Sequence, residues 1–230
     1  MAAPHRVGAS VPLASPTPND TSLQNSETSI QASQSERQGH AEIALASQFV
    51  DQGEDTDNET AQRAAYEEAR KHAERAIELL PENAEARFLL FAAKGRVAQL
   101  DGLASAAFQL TALNRELDYV LQLDPDHTDA LASRGGMLVK LPFFLGGDQE
   151  KGIEFLERAV ELADQGVGAR LELAEAYHIV GRGQDALDMV ANAEALARTL
   201  QDPARHKSVE TFRKALESAC AGCSVDVIGR

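Results

Sequence analysis

The side chains best equipped for chemistry in this chain are two cysteines, six histidines and a surplus of carboxylates, and their spacing decides what each could do. Cys220-Ala-Gly-Cys223 has the interval of a redox pair or half a zinc site. A redox pair normally opens a helix after a strand, and zinc needs two more ligands that the neighbouring residues do not supply, so an exposed pair near the chain end is expected. A local or intermolecular disulfide is the next reading. The histidines are scattered and none forms His-Glu-x-x-His, so neither metal catalysis nor a cofactor is expected. Asp124-Pro-Asp-His-Thr-Asp129 resembles a calcium loop but lacks its central Gly and closing Glu, and reads as a turn. Glu172 and Glu175 could do acid and base work, yet residues three apart share one helix face and cannot flank a substrate from opposite sides. No Gly-x-Ser-x-Gly elbow, phosphate loop or dinucleotide fingerprint occurs, so the chain is expected not to be an enzyme.

Composition narrows the remaining functions. Hydrophobic residues make up 43% and charged residues 25%, enough for a sizeable buried core. Aromatics stand at 5% and Trp is absent, while Ala recurs, which favours helices packed through small side chains. A formal charge of -14 without a basic run repels a phosphate backbone, so nucleic acid is not expected as a partner; basic or neutral ones fit better. The longest apolar run, Leu138 to Leu145, is broken by Lys140 and Pro142, so no membrane span is expected. The N-terminal residues show no continuous apolar segment of the kind a secretory signal carries, which points to the cytoplasm, with the periplasm open if an export signal is missing from this chain.

The elements that would position any site follow from periodicity. Residues 1–38 are rich in Ser, Thr, Gln, Asn and Pro and lack periodic apolar residues, so they are expected to form a disordered tail. From Ala41 onward apolar residues recur at helical spacing between Pro, Gly and Asp turns. One pattern repeats. Ala69, Ala73, Ala76 and Pro81 fall at steps of 4, 3 and 5. Leu113, Leu117, Val120 and Pro125 repeat those steps, as do Gly152, Leu156, Ala159 and Asp164, and Ala186, Val190, Ala193 and Arg198. Small residues where two helices cross, followed by a turn, are what this spacing encodes. Unit starts at Ala84, Thr128 and Val167 give lengths of 44, 39 and 34 residues, with the surplus expected between the two helices of a unit. In the last unit Leu173, Ala174, Tyr177 and Gly181 stand where a first helix and its turn need them.

On these residues the segment from about Ala41 to Leu200 resembles the tetratricopeptide repeat (TPR) family. The resemblance implies an all-α fold: a right-handed α-solenoid of stacked antiparallel helix pairs with a C-terminal capping helix. The expected organisation is a repeat domain over 39–200 with about four pairs, a cap over 201–220 and a flexible tail over 221–230. The first helix, Ala41 to about Val50, should be followed by an acidic solvated loop, Asp51 to Glu59. The segment Leu141 to Leu162, with its Pro-x-x-x-Gly-Gly-Asp loop, is also similar to bacterial TPR-like proteins such as the T component of tripartite ATP-independent periplasmic (TRAP) transporters.

Such an array exposes one wall made by its first helices, and that concave wall is the expected docking surface for a protein or peptide. By register its outward positions are Phe88, Ala92 and Arg96; Asp129, Ala132, Gly136 and Lys140; and Leu171, Glu175 and His178. That mixture suits an extended peptide, or an apolar ligand whose anionic end is held by Arg96 or Lys140. The Lys and Asn clamp of chaperone-binding repeat proteins is not supported, because Phe88 and Ala92 occupy two of its places. The loop from Leu141 to Asp148 has two readings: Phe143 and Phe144 plug the space between helices, or they line a ligand cavity or subunit contact, consistent with a homo-oligomer.

Overall fold

The computed structural model describes residues 18–219 apart from Gln165 and Asp202. Cys220, Cys223 and residues 1–17 therefore lie outside the described residues. Within the described residues nine helices follow one another: α1 Pro18–Glu54, α2 Glu59–Leu79, α3 Ala84–Leu100, α4 Leu103–Leu123, α5 Thr128–Lys140, α6 Gln149–Leu162, α7 Val167–Ile179, α8 Gly183–Leu200 and α9 Pro203–Ala219. A 3-10 turn, Phe143–Leu145, separates α5 from α6. Among the described residues there is no strand, and no helix is long and apolar enough to cross a membrane.

Helix starts are written into the inter-helix residues. The side chains of Asn58, Asn83 and Asp148 accept the backbone N–H of Ala61, Ala86 and Lys151 at 2.9, 2.9 and 3.1 Å, each satisfying a donor that has no partner inside its helix. Each odd-numbered helix then turns back as an even-numbered one, giving four antiparallel pairs, with α9 laid over α8 and α7. The repeated small and branched positions are the seams. Ala69, Ala73 and Ala76, Leu117 and Val120, Leu156 and Ala159, and Ala186, Val190 and Ala193 are all at most 1% exposed. At roughly 1.5–3 kcal/mol for each fully buried Leu or Val, these seams supply much of the apolar driving force.

The core comes in three blocks. One joins Ala46, Ala73, Leu89 and Leu90 across the first three helices, and a second joins Phe91, Leu113, Leu117, Val120 and Ala130. The largest runs through α5–α9 and ends on Val209 and Leu216 of α9, which cover the open end of the last pair. Between the second and third pairs the joint is thin. The backbones of α3 and α5 stay apart and α4 meets α5 along a short stretch, whereas α1 with α3 and α5 with α7 lie side by side.

Four expectations are corrected. The disordered tail expected through residue 38 gives way from Pro18 onward to α1, and the acidic stretch is helical up to Glu54, leaving a short linker at Asp55–Asn58. Once α1 is nucleated by packing against α2, adding further residues costs little, and Gln, Glu, Ala and Arg favour it without any apolar stripe. The surplus in the second unit lies inside longer helices, since only Asp101 and Gly102 separate α3 from α4; in the third unit it lies between helices, as expected. Arg198 is not in a turn: α8 continues to Leu200 and ends on Gln201, whose φ of 53° places it in the left-handed region.

Candidate functional site

The first helices of the pairs are tied together by charge. Arg96 on α3 pairs with Glu54 at the end of α1. Further along, Lys140 on α5 reaches both Glu175 at 2.8 Å and Glu172 at 3.1 Å on α7. Gly136 leaves the room this arrangement needs, because a Cβ there would sit 3.1 Å from the Glu172 carboxylate. Desolvation pushes the Lys140 ammonium down, and hydrogen bonds and attraction from Glu175 and Glu172 more than offset it, so its pKa lies above the ordinary lysine value. Both cations expected to hold an anionic ligand are therefore already matched.

Between these two bridges lies the thin joint, and His127 spans it. In its neutral form the ring caps α5, Nδ1 accepting the Ala130 N–H at 3.3 Å and Nε2 meeting Glu85 of α3 at 3.1 Å; protonation gives up the cap and adds a charge to the Glu85 contact. Phe88 lies against the imidazole with ring centroids 5.0 Å apart. Burial disfavours the charged imidazole, but Glu85, Asp129 and Asp124 outweigh it and raise its pKa above 6.5. Asp129 is raised as well, by desolvation first and then by Glu85 and Glu54, with His127 acting in the opposite sense. Asp51 is raised by burial and by Glu54 and Asp55, while Arg205 of α9 lowers it. Negative charge is thus crowded along the wall.

Placement of the expected wall residues is uneven. Arg96, Asp129, Lys140 and Glu175 come together on the shared face of α1, α3, α5 and α7 through the pairs above. Phe88 is half-buried and packs toward Phe91 at 5.9 Å, and Leu171 is half-buried against the largest core block. Ala132 is buried too. His178 is half-buried on α7. Glu54, Glu85 and His127 were not singled out as wall residues by the sequence. Their signal was position, since each stands at a helix end: Glu54 at the turn inside the first pair, Glu85 and His127 where one pair meets the next.

The Leu141–Asp148 connection does not plug the core. Phe143 is 90% exposed and Phe144 82%, with Leu145 at 47%. They are nevertheless fixed. The N–H groups of Leu145 and Gly147 donate to the Pro142 carbonyl at 2.9 and 3.1 Å, and that of Asp148 to the Leu138 carbonyl at 2.9 Å. Gly146 takes φ 90°, and a Cβ on Gly147 would collide with the Leu141 carbonyl oxygen. Glu172 and Glu175 share one ammonium, which leaves neither as an unpaired acid or base. Among the described residues no three His, Cys, Asp or Glu side chains gather as a metal site.

Stacked antiparallel pairs, small-residue seams, turn-borne caps and a covering last helix define an α-solenoid of the TPR-like class. No protein-family model and no curated protein matches the sequence. Among solved structures the chain is similar to TTC0263, a thermophilic TPR protein of Thermus thermophilus, at TM-score 0.52 and 17% identity over 75% of this chain and 89% of that one. A MamA protein structure matches at TM-score 0.41 and 14% identity, over 79% and 97%. The first of these likenesses is one of fold.

Proposed function

We propose that the chain is a non-catalytic scaffold or adaptor whose concave wall, formed by α1, α3, α5 and α7, docks a protein or extended peptide bearing basic side chains. The observation that carries this reading is the charge balance of the wall. Arg96 and Lys140 are matched by Glu54, Glu172 and Glu175, and Glu85, Asp129 and Asp51 add carboxylates against His127. An anionic ligand would have to displace existing partners, whereas a cationic one meets carboxylates in excess.

Two variants separate the alternatives in affinity capture from native lysate. Neutralising the wall with Glu54→Gln, Asp129→Asn and Glu175→Gln should release the captured partners and flatten their salt dependence. Removing both cations with Arg96→Ala and Lys140→Ala should retain or strengthen capture. Loss with the second variant and retention with the first would overturn the proposal in favour of an anionic ligand. The resemblance of the Pro142–Asp148 loop to TRAP-associated proteins supports a second reading, in which the partner is a periplasmic substrate-binding protein. Finding an export signal or lipid-attachment Cys upstream would favour it.

A further inference from the structure

Apart from the concave wall, the chain carries a projecting apolar element and a recess of mixed apolar and charged lining that it does not fill itself. The projection is Phe143, Phe144 and Leu145. Water-exposed phenyl rings held by a hydrogen-bonded turn carry little ordering cost on binding, which is what an interface anchor needs. The recess lies where α4 and α6 splay apart beside the thin joint. It is an open cleft of about 430 Å3 whose apolar lining is Leu121, Pro125, Leu131 and Phe155, with Gln122, Lys151 and the Asp118–Arg134 ion pair completing it. Its size is that of an ordinary ligand pocket, roughly 300–1,000 Å3. Both rings stand in solvent, so the cleft is not filled by them within one chain.

We infer that the occupant of this cleft is the Phe143–Leu145 turn of a second copy. Charge allows it at this place. Two chains of net charge -14 repel, but the segment Leu141–Gly147 is uncharged, so docking it brings no carboxylate of the incoming turn into the recess. Area supports it as well. Covering two phenyl rings removes about 300 Å2 from the incoming copy and a similar area from the receiving one, and the flanking ends of α5 and α6 bring the total toward the roughly 1,000 Å2 that specific interfaces need. Because turn and cleft are different surfaces, the contact is either made twice across a two-fold axis or repeated head-to-tail into a closed ring or an open series.

The test is sedimentation of the full chain over a range of micromolar concentrations. Wild type should associate beyond the monomer. Phe143→Ser/Phe144→Ser removes the anchor without touching the core, and Gln122→Arg obstructs the cleft while lowering net negative charge, so loss of association cannot come from general repulsion. Each variant alone should be monomeric, with unchanged helical circular dichroism and melting. Mixed in equal amounts they should form a dimer, since one retains the cleft and the other the turn. A monomeric wild type, association that survives either variant, or no dimer on mixing would overturn the inference. Association lost with Phe143→Ser/Phe144→Ser but kept with Gln122→Arg would show rings meeting rings instead.

Discussion

Gly135 and Gly152 face each other where α5 crosses α6, and their missing side chains set how near the two backbones come. A Cβ on Gly135 would lie 2.6 Å from the Gly152 carbonyl oxygen and 2.5 Å from Leu156 Cγ. Gly135→Ala therefore forces the pair apart and should destabilise by about 1–3 kcal/mol, read as a lower urea midpoint. Gly95→Ala is the control. Nothing lies within 4 Å of its Cβ position inside α3, so the better helix former should stabilise by about 0.5–1 kcal/mol. At the same scale, His127 makes stability depend on pH. Its folded pKa is raised, so the attraction to Glu85 is fully present below its ordinary value of 6.5 and is lost as pH rises through the folded value. The stability advantage of wild type over His127→Gln should shrink between pH 5.5 and pH 8 in urea titrations; an advantage that grows with pH would contradict it.

At the scale of elements, α1 is the odd member. Its 37 residues far exceed the 21 of α2, and α2 ends beside Gly39 of α1, which sits against Leu80. The residues before Gly39 extend past the end of α2, and the described ones are almost all exposed. Limited proteolysis should cut there first, and removing residues 1–33 should move the melting temperature by less than about 2 °C. This helix also marks where sequence reading ran out. The seams were legible because Ala69, Leu117, Leu156 and Val190 repeat a spacing that only a buried helix crossing requires. The early part of α1 was not, because Ser, Gln and Thr on an exposed helix leave no periodic trace. Phe143 and Phe144 misled in the other direction: aromatic rings in an insertion suggest a plug, and nothing local reveals that the turn beneath them points outward. Of the expected wall residues, Arg96, Lys140 and Glu175 stand in ion pairs between first helices, while Phe88 and Leu171 are partly buried against core blocks, contacts that depend on the relative tilt of successive pairs.

For the whole molecule, stability is divided unevenly. The block through α5–α9 buries an unbroken run of side chains from Leu131 to Leu216, while the helices before it rely on two smaller blocks. In such arrays stability is roughly a sum of units and of interfaces between neighbours. Hydrogen exchange should show α1–α4 opening at lower free energy than α6–α8, and fluorescence from Tyr66 and from Tyr177 should give separate midpoints in denaturant. Coincident midpoints and uniform protection would contradict this.

The thin joint has a mechanical consequence. Where helices lie side by side the array resists bending, but at His127 two stiff segments are linked by the small core block that ends on Ala130, by an imidazole against a phenyl ring, and by a few long side chains. Stretched from its ends in an optical trap, the molecule should yield there first, as one abrupt extension at low force, before either segment unravels.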